Sequence, residues 1–477
     1  MSDGRTENAP TLKRQIGLYA ATAITVGSIV GSGIFRSPHS VAQELTTASA
    51  MLFAWVLGGL LSLCGSLVLA ELAVKHPETG GLYVFIRRAF GDRLGFVFGW
   101  ASLSVIKPTV IASIASVFAI YFCEALGLAD RHRFAAGAGA IAVLTFINWL
   151  GVREGTRTQT LLTTLKVAGI LGLCAAAFLL PQGGAGGSGE AASAVTTAAA
   201  VASGDPAGAA GPASHPLLLA LVLAMIPILF AYDGWTDSTY VAGEIVNPRR
   251  NMPIAILLGT VVVVGIYVVT NLAYFAVLSP AEVAKVEAVG SETMRRVLGE
   301  WGGRALAILV AVSTFGTVSA SILTGPRVTL AMAADGLFWR RAAHLDPRRG
   351  TPDLALWLQA GLSIVWLWCA QGFEDVAGWF VTTSWLFYGV TIAAIFVERA
   401  RERRGDGPNM DGGAGPSAGN GYRTPLYPLT PILFILVTVL LIGSDLSASG
   451  WRAGAGVFMA ATGFLLFAFT RRQRRKV

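Results

Sequence analysis

Apolar runs of roughly 20 residues recur from Ile16 to Thr470, each long enough to cross a hydrocarbon core of about 30 Å as a helix. About twelve such runs can be counted, and most are separated by short polar segments. With 54% hydrophobic and only 13% charged residues, and a mean hydropathy of +0.61, the composition lies far outside that of soluble domains. The chain is expected to be an all-α, polytopic membrane protein. Its first apolar segment is too long for a signal-peptide core and lacks a small-residue cleavage site, so it is expected to stay in the mature protein.

The net charge of +8 does not point to nucleic acid, because the basic residues follow the topology. They gather in alternate polar segments, among them Arg87, Arg88, Arg93, Arg249, Arg250, Arg340 and Arg341. That bias places both termini in the cytoplasm of a cell-membrane protein. The terminal Arg471-Arg472-Gln473-Arg474-Arg475-Lys476 run either anchors this topology or also touches anionic lipid. Cys64, Cys123, Cys174 and Cys369 are widely spaced, which indicates neither a disulfide framework nor a zinc site. Five scattered histidines show no metal spacing, and no nucleotide-binding or hydrolase motif is present. No enzyme, cofactor or metal is expected.

Within the first apolar segment, Gly27-Ser28-Ile29-Val30-Gly31-Ser32-Gly33 holds three glycines and two serines in seven positions. Each interior glycine costs a helix about 1 kcal/mol against alanine, so a break is expected. Freed backbone at membrane depth is tolerated where it lines a cavity. A helix re-forming at Ile34 would offer the N–H groups of Gly31, Ser32 and Gly33 to a carboxylate. The bland alternative is a packing seam made by Gly27 and Gly31. A second break is expected near Pro227 to Gly234. There Asp233 is an acid at membrane depth, which marks either a functional site or the wet end of a span.

Other stretches fill in the plan. Pro77 and Gly80-Gly81 predict a turn before a short basic amphipathic helix on the cytoplasmic face. Lys107-Pro108 predicts a kink in the third span. Residues 181–216 are mostly Gly, Ala and Ser, and read as a flexible outer loop. The two breaks head two halves, residues 16–180 and 217–398, the layout of an inverted-repeat transporter with its site between broken helices. Around them lie a cytoplasmic tail (1–15), a cytoplasmic loop (399–424), two further helices (425–470) and a basic tail (471–477).

Taken in order, several motifs resemble the amino acid/polyamine/organocation transporter superfamily, and most closely its L-type amino acid transporter branch. They are Gly27 to Phe35, Pro77 with Gly80-Gly81 and Tyr83, Lys107-Pro108, Phe230-Ala231-Tyr232 with Gly234-Trp235, Asn247-Pro248 with Pro253, Thr270 to Phe275, and Arg327 with Asp335 to Phe338. The resemblance implies a five-plus-five inverted-repeat fold, alternating access and an amino acid substrate. It implies a substrate carboxylate at the backbone of Gly31 to Gly33 with Ser32 nearby, and Ser28 is counted among the substrate-binding residues. The α-amino group would meet the carbonyls of Ile29, Phe230 and Ala231, with Phe230 as outer gate. Lys166 would stand where sodium-coupled relatives hold sodium; the bland reading is a lysine snorkelling to the surface. The family's animal members pair with a single-span subunit through an outer-loop cysteine, but Cys123 lies at the end of a span, so no covalent partner is expected.

Asp233 departs from the small residue common in the branch and is expected either to enlarge or to recharge the side-chain end of the pocket, which bears on the substrate range. Asn271 and Tyr274 share one face of their helix and serve either an inner gate or an interhelical tie. Arg327 is either a gate partner for an acid such as Glu244 or a topology anchor. The leading expectation is sodium-independent exchange of neutral L-amino acids. The alternatives are proton-coupled uptake of amino acids, cationic ones included, or polyamines, and an amino acid-sensing receptor that does not transport.

Overall fold

Two apolar segments fold as interrupted helices, and the other helices pack around them. A computed structural model describes residues 14, 16–78, 80–150, 156–180, 216–338, 352–404 and 422–474. The Gly/Ala-rich stretch 181–215, nearly all of the N-terminal tail, and loop residues 405–421 lie outside the described residues. The first half contains α1 (Leu18–Ile29), α2 (Gly33–Glu44), α3 (Ala48–Lys75), α4 (Leu82–Phe90), α5 (Asp92–Ala101), α6 (Lys107–Leu126), α7 (Arg133–Trp149) and α8 (Thr156–Leu179). There follow α9 (Leu217–Tyr232), α10 (Pro248–Val277), α11 (Pro280–Val283), α12 (Val289–Thr324), α13 (Pro326–Ala334), α14 (Asp353–Cys369), α15 (Phe373–Arg404), α16 (Leu429–Ser449) and α17 (Trp451–Arg474). Among the described residues, seven helical stretches are long and apolar enough to span a membrane when α1–α2, α5–α6 and α12–α13 are each taken as one. Shorter apolar helices accompany them.

The local rules explain most boundaries. Thr47 caps α3, its hydroxyl accepting the N–H of Ala50 at 3.3 Å. Ser279 and Glu282 close a capping box at α11. Gly81, at φ 59°, turns the chain into α4. That helix buries Leu82, Val84, Phe85 and Ile86 and leaves Arg88 outward, as an amphipathic surface helix should. Glu374 and Asp375 open α15, and Arg401, Arg403 and Arg404 end it, the charge order that the helix dipole favours.

The kink expected at Lys107-Pro108 takes the form of a wide turn at Ser102–Ile106 with π geometry between α5 and α6. Pro108 has no N–H to give the Ser104 carbonyl, and the Trp366 indole supplies one at 2.9 Å. The helix therefore continues without an orphaned carbonyl.

The breaks differ from expectation in two respects. The first helix re-forms at Gly33, one residue before Ile34. In the second, Pro227 sits inside α9 without ending it; the chain leaves the helix at Asp233 and continues as a 3-10 segment, Asp237–Glu244. A short parallel bridge ties the two interrupted elements together. Ile16 N–H donates to Glu244 O and Val246 N–H to Ile16 O, each at 2.9 Å.

A charged network fastens the ends of α3 and α15. Glu71, 1% exposed, accepts from Arg399 at 3.0 and 2.7 Å and from the Thr424 N–H at 2.7 Å. Lys75 lies 3.1 Å away. Removing one partner of a buried pair costs about 3–5 kcal/mol. Arg399→Met is therefore expected to lower the melting midpoint in detergent sharply, and adding Glu71→Gln to recover most of the loss.

Candidate functional site

The interrupted helices meet backbone to backbone. A Cβ at Gly33 would overlap the Cα of Ala231, and one on Gly234, whose φ is 116°, would lie 2.6 Å from the Ser28 carbonyl carbon. Only glycine permits either approach. Between the breaks lies a cavity of about 250 Å³, lined by Ser28, Ile29, Gly31, Ser32, Gly33, Phe230, Ala231, Asp233 and Lys166. Thus the residues assigned from sequence to substrate binding, and Lys166, converge on one space. The cavity extends towards Ile16, Leu82, Glu244 and Arg327, at the end of the molecule where the described chain begins.

The packing-seam reading of the glycines holds for one of them. A Cβ on Gly27 would run into the Thr163 hydroxyl, whereas one on Gly31 would meet only Thr317 Cγ2 and the Ile29 carbonyl oxygen, each at an ordinary contact distance of 3.9 Å. Beyond Gly31 the chain enters α2, whose first N–H groups have no partners within the helix. The Ser32 hydroxyl beside them is buried and has no hydrogen-bond partner among the described residues. These groups make a donor-rich patch suited to an anion such as a carboxylate.

The carbonyls on the other wall are less free than expected. Tyr267, fully buried on α10, directs its hydroxyl at the Ile29 carbonyl (2.8 Å) and the Ala231 carbonyl (3.1 Å). The Phe230 carbonyl accepts the Asp233 N–H at 3.2 Å. A ligand ammonium would use the second lone pair of each oxygen. Sequence reasoning missed Tyr267, which bridges both breaks. Nothing in its local pattern distinguishes it from the other apolar-face residues of α10.

Lys166 is 6% exposed and donates to the Thr317 hydroxyl at 2.6 Å. It points inward beside the first break and does not snorkel. Asp233 accepts from the Tyr388 hydroxyl at 2.5 Å. Arg327 and Glu244 both line the cavity towards its mouth. Asn271 and Tyr274 are fully buried and do not line the cavity. Asn271 donates to the Tyr267 carbonyl at 2.8 Å and Tyr274 to the Ile34 carbonyl at 3.4 Å. Only the Tyr274 contact is an interhelical tie, to α2 beyond the break; the Asn271 contact stays within α10.

At its other end the cavity is shut. Phe230 packs edge-on against Phe373 and Phe380, with centroids 5.1 and 5.9 Å apart. Arg36, 2% exposed, lies over the Phe373 ring and pairs with Glu374 at 2.7 Å and Glu287 at 3.6 Å. Behind this wall is a second cavity of about 470 Å³ bordered by Ser40, Phe373 and Glu374. Cys123 is buried, and no group of three or more His, Cys, Asp or Glu side chains among the described residues could hold a metal.

Residues 16–468 match the amino acid permease family along nearly the whole chain. The chain belongs to that family. The permease is 28% identical over 459 residues to the serine/threonine exchanger SteT of Bacillus subtilis (strain 168), covering 96% of each chain. It is 29% identical to the b(0,+)-type amino acid transporter 1 of Mus musculus, covering 96% of this chain and 88% of that one. With the Asc-type amino acid transporter 1 of Mus musculus the identity is 30%, over 96% and 81% of the two chains. The permease is an integral membrane protein and an amino acid transporter of the amino acid/polyamine/organocation superfamily, not an enzyme.

Proposed function

We propose that the permease exchanges neutral L-amino acids across the cell membrane without sodium, by alternating access between the halves 16–180 and 217–398. The observation that carries this reading is the buried Lys166 ammonium beside the first break. It supplies a positive charge beside the start of α2, with no ion to be taken up in each cycle. The unpartnered Ser32 hydroxyl and the start of α2 supply donors for the carboxylate. The name of one relative, a serine/threonine exchanger, supports exchange of small neutral substrates, and the names of the other two support amino acid transport. With both termini cytoplasmic, the cavity faces the cytoplasm and Phe230 closes its outer end.

A second reading rests on Asp233. A carboxylate lining the cavity suits a cationic substrate or a proton carried with the amino acid. Proteoliposomes loaded with labelled serine in sodium-free buffer at fixed pH separate these readings. Efflux is expected to be slow into empty buffer and strongly stimulated by external serine. Equal efflux in both cases would indicate uniport. A requirement for sodium or for a pH gradient would overturn the proposed coupling.

A further inference from the structure

We infer that Lys107 is a specificity-determining residue: its ammonium, set into the cavity wall beside two carboxylates, biases the site towards neutral rather than cationic side chains. This rests on the cavity being the amino acid site. Lys107 is 9% exposed and lines the cavity together with Asp233 and Asp237. Its Nζ lies 3.9 Å from Asp237 Oδ1 and 5.1 Å from the centre of the Tyr240 ring. Both contacts fix a cation, one by charge and one through the ring face.

The backbone holds the ammonium there. The π turn at Ser102–Ile106 delivers the chain to Lys107, and Pro108 with the Trp366 indole on the Ser104 carbonyl fixes that geometry. Such turns recur at functional sites because they change which face of a helix a side chain occupies. Of the two carboxylates, Asp237 is the one near Lys107, while Asp233 is engaged by Tyr388. A substrate ammonium arriving at this wall meets a resident one, and a neutral side chain does not. Discrimination here works by placing a repulsive charge against the wrong ligand.

The test compares L-lysine with L-norleucine, which has the same chain length without the ammonium, as inhibitors of labelled serine exchange in proteoliposomes. In Lys107→Met the potency of lysine relative to norleucine is expected to rise about tenfold. In Asp237→Asn it is expected to fall, in the double variant to return near the parent value, and in Lys107→Arg to stay there. If Lys107→Met does not reconstitute, Lys107→Gln repeats the test with a polar tip retained. A lysine-to-norleucine ratio that does not move in an exchange-competent Lys107 variant, whatever its overall rate, would overturn the inference and leave the proposed function standing. No exchange of any neutral amino acid by the parent would remove both.

Discussion

Gly33→Val is expected to reduce exchange at least a hundredfold while leaving the protein able to insert and reconstitute. The added side chain would be driven into the backbone of Ala231. Unlike a flexible side-chain tip, that backbone cannot swing away, because Tyr267 ties the Ala231 and Ile29 carbonyls together from behind. The two breaks must therefore move apart, and a displacement of about 1 Å in a group that positions a ligand is enough for a loss of about a hundredfold. Overpacking also costs roughly 1–3 kcal/mol of stability, so the comparison needs matched amounts of folded protein. Gly139→Ala is the control: a Cβ there meets nothing within 4 Å, and its exchange rate is expected to equal the parent's. Near-parent exchange by Gly33→Val would mean that the substrate does not bind between the breaks.

Lys166→Met is expected to lower the initial rate of serine exchange at least tenfold and to blunt its stimulation by external serine. Methionine keeps most of the side-chain volume, so a loss reports on charge rather than on a hole in the packing. In the parent the ammonium joins α8 to Thr317 on α12, and Thr317 in turn donates to the Ser313 carbonyl at 3.0 Å. Since Thr317 also stands next to Gly31, the ammonium is held close to the first break. A low-dielectric surrounding makes such a charge count for more than it would in water. Initial rates in sodium-free proteoliposomes check this directly; undiminished exchange by Lys166→Met would leave the ion-free cycle without its charge.

Much of this architecture could be read from local sequence. The spans follow from runs of apolar residues, the first break from glycines that destabilise a helix, and α4 from a glycine turn followed by apolar and basic residues on opposite faces. Asp233 was legible because an acid at membrane depth needs a reason to be there, Ser32 because it lies in the glycine break, and Lys166 only through the family resemblance. The second break falls within the expected stretch but at its Gly234 end rather than at the proline. The helix runs on to Tyr232, with the Ser37 hydroxyl donating to the Pro227 carbonyl at 2.7 Å.

What the sequence by itself determined is therefore each element and its weak points, because helix propensity, capping and hydrophobic length act over a few neighbouring residues. What only the tertiary structure decided is which elements face one another. That includes Gly33 against Ala231, Tyr267 across both breaks, Lys107 beside Asp237, and Arg36 paired with Glu374, 338 positions along the chain. Such contacts leave no periodic trace in the sequence. They arise when helices pack in three dimensions and buried donors, acceptors and charges must find partners wherever the fold brings them.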